Sequence, residues 1–171
     1  MSANNWLPCF SLILRNEGGF NDNPKDPGGV TNLGCTKAVW ESYVGHPVTV
    51  DDMKALTPED VEPLYKAKYW DAINGDSLPT GVDYAVFDFA INSGPSRAAK
   101  ALQSVIGVAT DGSIGPATLA ALEEANARDV ATRTCEARLA FLQSLPTYDT
   151  FGKGWSRRVA EVEKSAFNMV G

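Results

Sequence analysis

One glutamate stands where a helical pattern meets a turn-rich segment. Trp6, Phe10 and Ile13 recur on one helix face, and Glu17 continues that face just before Gly18-Gly19 ends the helix. The negative end of the helix dipole and an apolar surrounding both disfavour a charged carboxylate. The pattern therefore favours a carboxyl group that keeps its proton and serves as a general acid. The alternative is a helix-terminal glutamate whose side chain extends into water.

A second carboxylate follows in the polar segment after the helix. Asp26 precedes Pro27-Gly28-Gly29, and Thr31 comes two residues after the glycines. An aspartate before such a sequence is an ordinary turn residue when taken alone. Only the company of Glu17 and of the residues that follow makes Asp26 a site candidate.

The whole stretch carries a family resemblance. Glu17-Gly-Gly-Phe20 and Asp26-Pro-Gly-Gly-Val-Thr31-Asn-Leu-Gly-Cys-Thr36 resemble the signature of glycoside hydrolase family 108, the N-acetylmuramidases of phage endolysins and related bacterial proteins. Phe20 replaces the usual tyrosine, and Cys35 replaces a common aliphatic residue. The resemblance extends to the segments at 87–94 and 111–115, and so covers most of the chain.

The resemblance implies an all-α, mainly helical, lysozyme-like fold with a small β-hairpin next to the active site. It implies hydrolysis of the β-1,4 bond between N-acetylmuramic acid and N-acetylglucosamine. Glu17 would be the acid, and Asp26 and Thr31 would hold the attacking water, with Thr36 as the alternative to Thr31. Such a layout predicts inversion, with the carboxyl groups roughly 6.5–9.5 Å apart, although retention stays open.

Further candidates for substrate binding come from two helical patterns. A helix beginning after Thr57 and running to about Trp70 carries Tyr65 and Trp70, which suit either sugar stacking or core packing. The next helix, about 82–92, is apolar on nearly all sides and therefore central. Its polar stripe ends in Asp88 and Asn92; we expect Asp88 to be structural and Asn92 to contact substrate.

The second half of the chain reads as helices around one tight turn. The segment from Asp111-Gly112 to Gly115-Pro116 resembles the short repeat of helical peptidoglycan-binding modules. Helices are predicted at about 97–106, 129–145 and 155–170. We expect one lysozyme-like domain over 1–171, with a catalytic lobe at 1–94 and a helical lobe at 95–171 that resembles a peptidoglycan-binding module.

Composition narrows the function. The chain has 171 residues and a formal net charge of −6, which argues against nucleic acid as a partner. Cys9, Cys35 and Cys135 are far apart and His46 is the one histidine, so neither a zinc site nor a triad hydrolase is indicated. Two carboxylates and a water need no cofactor or metal. The pairing state of the cysteines stays open.

The N-terminal residues show no basic segment and no cleavage site. The expectation is synthesis in the host cytoplasm without a signal peptide, and release to the periplasmic cell wall through a holin, as the resemblance suggests. The expected partner is the peptidoglycan glycan strand, with no stable membrane association and a monomeric chain. Two alternatives remain: a lytic transglycosylase, and a non-catalytic peptidoglycan-binding or secretion-accessory protein.

Overall fold

The computed structural model describes residues 5–16, 19–22 and 29–170. Within them the chain is mainly helical with one small antiparallel sheet, which confirms the lysozyme-like fold class. Contacts group the chain into two units: the sheet region, Leu7–Lys68, and the helical region, Tyr69–Gly171 together with Met1–Trp6. None of the described helices is long and apolar enough to cross a membrane.

The sheet region consists of short elements. In chain order they are α1 (Trp6–Asn16, of which Trp6 belongs to the other unit), β1 (Asn21–Asp22), β2 (Val30–Asn32), β3 (Cys35–Thr36), α2 (Lys37–Val44), α3 (Val50–Lys54) and α4 (Pro58–Tyr65). The predicted hairpin is a three-stranded sheet with the order β1-β2-β3. After α4 the backbone widens into a π-helical turn, Lys66–Trp70, so helical backbone reaches the predicted end.

Threonines begin the three helices α2, α3 and α4 of the sheet region. The hydroxyls of Thr36, Thr49 and Thr57 each accept a hydrogen bond from a backbone N–H of the first helical turn. In α3 and α4 the carboxylates of Asp52 and Asp60 accept from the N–H of the capping threonine, which completes two capping boxes. The start of α4 after Thr57 confirms the sequence prediction, and each cap stabilises its helix by about 1 kcal/mol.

The helical region contains the remaining elements: two 3₁₀ turns (Asp71–Ile73 and Gly75–Ser77), α5 (Val82–Ser93), α6 (Pro95–Ile106), α7 (Pro116–Glu123), α8 (Ala127–Gln143) and α9 (Tyr148–Met169). Every residue of α5 from Val82 to Ala90 is buried, which confirms its central position. Helix α5 packs with α6, α8 and α9. The division of the chain into lobes at residue 94 stays a prediction.

Asp88 of α5 is the ionic centre of this region. Its carboxylate is fully buried, pairs with Arg138 of α8, and accepts a 2.9 Å hydrogen bond from Nη2 of Arg158 in α9. Two guanidiniums thus satisfy both carboxylate oxygens. The cluster joins three helices across 50 and 70 positions of sequence, which confirms the structural interpretation of Asp88.

Helix α9 begins earlier than predicted. The apolar stripe indicated a start near Trp155, whereas the helix starts at Tyr148. Glycines at 152 and 154 weaken the helical pattern in the sequence. In the structure, a Cβ on Gly152 would come within 2.8 Å of the Tyr148 ring. The glycine therefore permits a close contact inside the helix that a propensity argument does not foresee.

Candidate active site

The two predicted catalytic carboxylates, Glu17 and Asp26, lie outside the described residues. The structure describes the elements on either side of them. Helix α1 ends at Asn16, immediately before Glu17, and buries Trp6, Phe10 and Ile13 of the predicted apolar face, together with Cys9. Strand β2 begins at Val30, shortly after Asp26. The roles of both carboxylates stay predictions.

Thr31 occupies the centre of the small sheet. Its Cα pairs with that of Asn21 in β1 and with that of Thr36 in β3. Side chains of directly opposed residues lie on the same face of an antiparallel sheet. The two threonines that the sequence left as alternatives are therefore neighbours on one face.

The hydroxyl groups of Thr31 and Thr36 differ in the hydrogen bonds that they already make. The Thr36 hydroxyl accepts a 3.2 Å hydrogen bond from the N–H of Val39 and caps α2. Within the described part of the chain, the Thr31 hydroxyl makes no hydrogen bond, and the residue is half-buried. A hydroxyl both donates and accepts, so Thr31 has the greater capacity to hold a water molecule.

The turn between β2 and β3 is held in a costly conformation. Leu33 and Gly34 form a two-residue connection, and both have positive φ angles, 53° for Leu33 and 76° for Gly34. Hairpin turns of this kind favour asparagine before glycine, because a bulky residue is strained at positive φ. The hydroxyl of Tyr65 donates a 2.8 Å hydrogen bond to the carbonyl of Leu33 and thereby stabilises the turn.

Asn32 fixes the opposite face of the same strand. Its side chain is buried and its Nδ2 donates a 2.8 Å hydrogen bond to the carbonyl of Met53, near the end of α3. Adjacent residues of a strand point to opposite faces. The dipeptide Thr31-Asn32 therefore presents one hydroxyl on the outer side and one structural amide on the inner side.

Phe20 and Cys35 are the two departures from the family signature. The ammonium group of Lys54 lies 5.2 Å from the centroid of the Phe20 ring, which is a cation–π distance. Burial raises the pKa of the Cys35 thiol to about 11, against a smaller lowering by the charge of Lys68. A thiol that keeps its proton is a poor nucleophile, so Cys35 is a packing residue here.

Tyr65 and Trp70 are not substrate contacts in this structure, which corrects the sequence prediction. Only 1% of Tyr65 and 0% of Trp70 is exposed. The Tyr65 ring packs against Phe10, and the Trp70 ring against Trp6 and Phe87. An enclosed ring offers no face on which a sugar can stack. Core packing, the other interpretation that the sequence allowed, is what the structure shows.

Asn92, the last predicted substrate residue, is exposed near the end of α5. Its Nδ2 donates a 3.2 Å hydrogen bond to the carbonyl of Asp88, one turn earlier in the same helix. The remaining polar capacity of the side chain faces solvent, and the substrate role of Asn92 stays a prediction.

Cysteines and metal-binding groups add no further chemistry to the described residues. Cys9, Cys35 and Cys135 are buried thiols that take part in no disulfide bond. Burial also raises the pKa of Cys135, to about 12. Across the described ranges, no three His, Cys, Asp or Glu side chains are grouped as they would be to hold a metal ion.

Sequence reasoning missed the two residues that position the sheet. Asn32 was read only as part of a signature, although strand alternation places it opposite Thr31 and so predicts an inward amide. For Tyr65 the sequence allows sugar stacking or core packing, and no local pattern indicates that its hydroxyl contacts a turn 32 positions away.

Comparisons with known proteins cover most of the chain. Residues 10–94 match the family described as glycosyl hydrolase 108, and residues 97–160 match a family described as a predicted peptidoglycan domain. The chain is also similar to the structure of SagA from Brucella abortus, with a TM-score of 0.89 and 44% identity over 97% of this chain and 95% of that one. No curated protein matches the chain. The two family matches meet where α5 ends and α6 begins.

Proposed function

The chain belongs to the glycosyl hydrolase 108 family, and from this premise we propose that it is an N-acetylmuramidase. The family makes it a glycoside hydrolase, and the adjoining match supports peptidoglycan as the material on which it acts. In the proposed reaction, water cleaves the β-1,4 bond from C1 of N-acetylmuramic acid to O4 of N-acetylglucosamine.

One observation carries this proposal. A glycosyl hydrolase match and a peptidoglycan match follow each other in one chain, with only two residues between them. A glycosidase acts on a glycosidic bond, and peptidoglycan offers one repeating backbone of such bonds. The two matches together therefore favour the glycan strand of the cell wall over other polysaccharides.

We assign the acid role to Glu17. It follows directly after α1, whose described residues bury one apolar face. In the proposed step, the Glu17 carboxyl group donates its proton to the leaving O4 of N-acetylglucosamine. Proton donation of this kind contributes about 10²–10⁴-fold to the rate.

Asp26 and Thr31 are assigned to the water. The water adds its oxygen to C1 of N-acetylmuramic acid and gives its proton to the Asp26 carboxylate, which makes the reaction inverting. Thr31 is preferred to Thr36 as the second water ligand, because capping of α2 already engages the Thr36 hydroxyl. Both threonines lie on one sheet face, so the preference concerns hydrogen bonding and not location.

The setting of the reaction forms part of the proposal. We place the action of the enzyme at the bacterial cell wall, as a monomer without stable membrane association. A phage endolysin released through a holin is the setting that the family resemblance suggests.

The test is release of reducing sugar from purified peptidoglycan by the wild type and by Glu17→Gln. We expect hydrated fragments with reducing muramic acid ends from the wild type and a fall of about 10²–10⁴-fold in the variant. Glu59→Gln is the matched control, because Glu59 is exposed in the first turn of α4. The control should retain wild-type activity.

Mass spectrometry of the products separates the alternatives. Anhydro-muramic acid products would assign the chain to the lytic transglycosylases, in which the glutamate acts without an attacking water. If the folded wild type binds sacculi but releases no sugar, the chain is a non-catalytic peptidoglycan-binding protein. Equal rates for wild type and Glu17→Gln would remove Glu17 from the acid role.

A further inference from the structure

A pocket of about 580 Å³ lies in the helical region, between the end of α5, the start of α6 and one side of α8. Its walls include Phe89 and Ser93 of α5, Arg97 and Lys100 of α6, and Phe141 of α8. The volume falls within the range of small-molecule sites, which are mainly apolar with a few placed polar groups. We call it the α5–α6 pocket.

The charge of the α5–α6 pocket is opposite to that of the chain. Arg97 and Lys100 line it, and no carboxylate among the described residues does, although the chain has a formal net charge of −6. Within the described ranges neither cation forms an ion pair with a carboxylate. A cleft lined by one sign of charge concentrates ligands of the other sign. The expected ligand is therefore an anion.

The arginine of the pocket is held in place by aromatic rings. The guanidinium of Arg97 lies 4.2 Å from the centroid of Phe141, which stacks on Phe89 at 6.5 Å and an interplanar angle of 26°. A guanidinium stacked in this way keeps its planar donors free for a carboxylate. The half-buried Phe141 ring gives the pocket an apolar side that suits small aliphatic groups.

A buried glutamine connects α6 to the segment from Asp111-Gly112 to Gly115-Pro116, which resembles the repeat of peptidoglycan-binding modules and is called the motif here. Gln103 is 1% exposed; its Nε2 donates to Oδ1 of Asp111 at 2.9 Å and to the carbonyl of Ser113 at 3.0 Å. Its Oε1 accepts from the N–H of Gly112 at 2.9 Å. The motif is therefore a locked turn rather than a ligand contact, and the lock fixes its position along α6.

The locked turn lies beside two residues that line the pocket, Ser96 and Lys100. Gly112 has a φ of +80°, and a Cβ on it would come within 2.9 Å of Oγ of Ser96 and 3.3 Å of Cε of Lys100. Thr110, just before the turn, lines the pocket itself. The motif that the family match contains thus shapes the surroundings of the pocket lysine.

We propose that the α5–α6 pocket binds the free carboxylate groups of the peptide stem carried by N-acetylmuramic acid. Arg97 pairs with a carboxylate, Lys100 adds a second positive charge, and the Phe141 ring receives the methyl groups of small residues. The inference rests on the proposed function insofar as peptidoglycan is the substrate. It concerns residues that take no part in bond cleavage.

The first test measures binding without any glycosidic bond. A synthetic stem tetrapeptide with free carboxylates is titrated against the full-length wild type and against Arg97→Gln/Lys100→Gln. The double variant should bind about tenfold more weakly, because charge-assisted hydrogen bonds are lost. Arg97→Lys, which retains the charge, should recover much of the affinity and shows that the site tolerates substitution.

Controls in this titration distinguish specific binding of the peptide carboxylates from general attraction of anions. Lys153→Gln/Arg157→Gln removes the same charge from exposed positions of α9 and should bind like the wild type. The fully amidated tetrapeptide should bind as weakly as the double variant binds the acid form. Equal binding of the amidated peptide, or saturation by inorganic phosphate at the same concentration, would overturn the peptide assignment.

A second test keeps this inference distinct from the hydrolase proposal. Rates are compared on intact peptidoglycan and on glycan strands from which an amidase has removed the stems. Arg97→Gln/Lys100→Gln should raise KM on the intact material alone and leave kcat unchanged. Equal KM and kcat values for variant and wild type on both substrates would overturn the proposed role of the pocket and would leave the hydrolase proposal unaffected. If the wild type cleaves neither substrate, the peptide titration alone decides the pocket.

Discussion

The sheet region and the helical region are stabilised in different ways. In the sheet region, side chains bond to backbone groups: Asn32 to the carbonyl of Met53, Tyr65 to the carbonyl of Leu33. In the helical region, the main polar contact joins three side chains on separate helices, Asp88, Arg138 and Arg158. In the sheet region single side-chain-to-backbone hydrogen bonds hold the turn and the strand, whereas in the helical region a buried charge cluster joins helices that also pack together.

This contrast predicts where substitutions affect stability and where they affect catalysis. Removal of the central charge in the helical region takes the carboxylate partner from the buried guanidinium of Arg138 and should affect folding most. Removal of one hydrogen bond in the sheet region costs little stability but displaces the strand that carries Thr31.

The largest effect is expected for Asp88→Asn. The free energy of unfolding should fall by about 3–5 kcal/mol, because one partner of a buried ion cluster is lost and its cations remain. Asp129→Asn is the control, since the Asp129–Arg133 pair is exposed and should contribute at most about 1 kcal/mol. Denaturant unfolding measures both. Similar losses in the two variants would contradict a central role for Asp88.

A smaller loss of stability is expected for Tyr65→Phe. The lost hydrogen bond to Leu33 should reduce the free energy of unfolding by about 1 kcal/mol. If Thr31 holds the water, kcat should fall by about tenfold or more, since small displacements of a reacting group are costly. Tyr43→Phe, at a tyrosine that is 46% exposed, should change neither quantity. Wild-type kcat in Tyr65→Phe would reduce Tyr65 to a packing residue.

The smallest effect is a pH dependence of opposite sign in the two regions. Burial raises the pKa of Asp83 at the start of α5, despite hydrogen bonds from Asn5 and from the N–H groups of Tyr84 and Gly81. The folded state then binds the proton more tightly, so the Asp83 contribution to stability falls as pH rises above 3.8, the ordinary value, through the folded pKa. Asp83→Asn should remove this decline.

Asp52 in the α3 capping box provides the contrast. Hydrogen bonds from Thr49 lower the pKa of Asp52, so its contribution is present above pH 3.8, the ordinary value, and is lost as pH falls through the folded pKa. Asp52→Asn should therefore be destabilising near neutral pH and neutral in acid. Thermal unfolding between pH 3 and pH 7 measures both slopes, and slopes of the same sign would contradict the assignment.

Much of the fold could be predicted because its signals are local. The threonine before α4 and the nearly all-apolar pattern of α5 predicted helix positions that the structure confirms. The start of α9 was missed because glycines at 152 and 154 mask a helical segment. The candidate site was predicted by a contiguous signature, whose Glu17 and Asp26 lie outside the described residues and stay predictions.

Periodicity and capping chemistry act within a few residues, and so the sequence alone determines the order of helices, the central position of α5 and the family signature. The sequence does not determine whether an aromatic ring faces a sugar or the core, because burial depends on elements that are distant in sequence. For that reason only the tertiary structure shows that Tyr65 and Trp70 are buried in the core. The pairing of Asp88 with Arg138 and Arg158, and the gathering of Arg97, Lys100 and Phe141 around one pocket, likewise arise only when separate helices pack together.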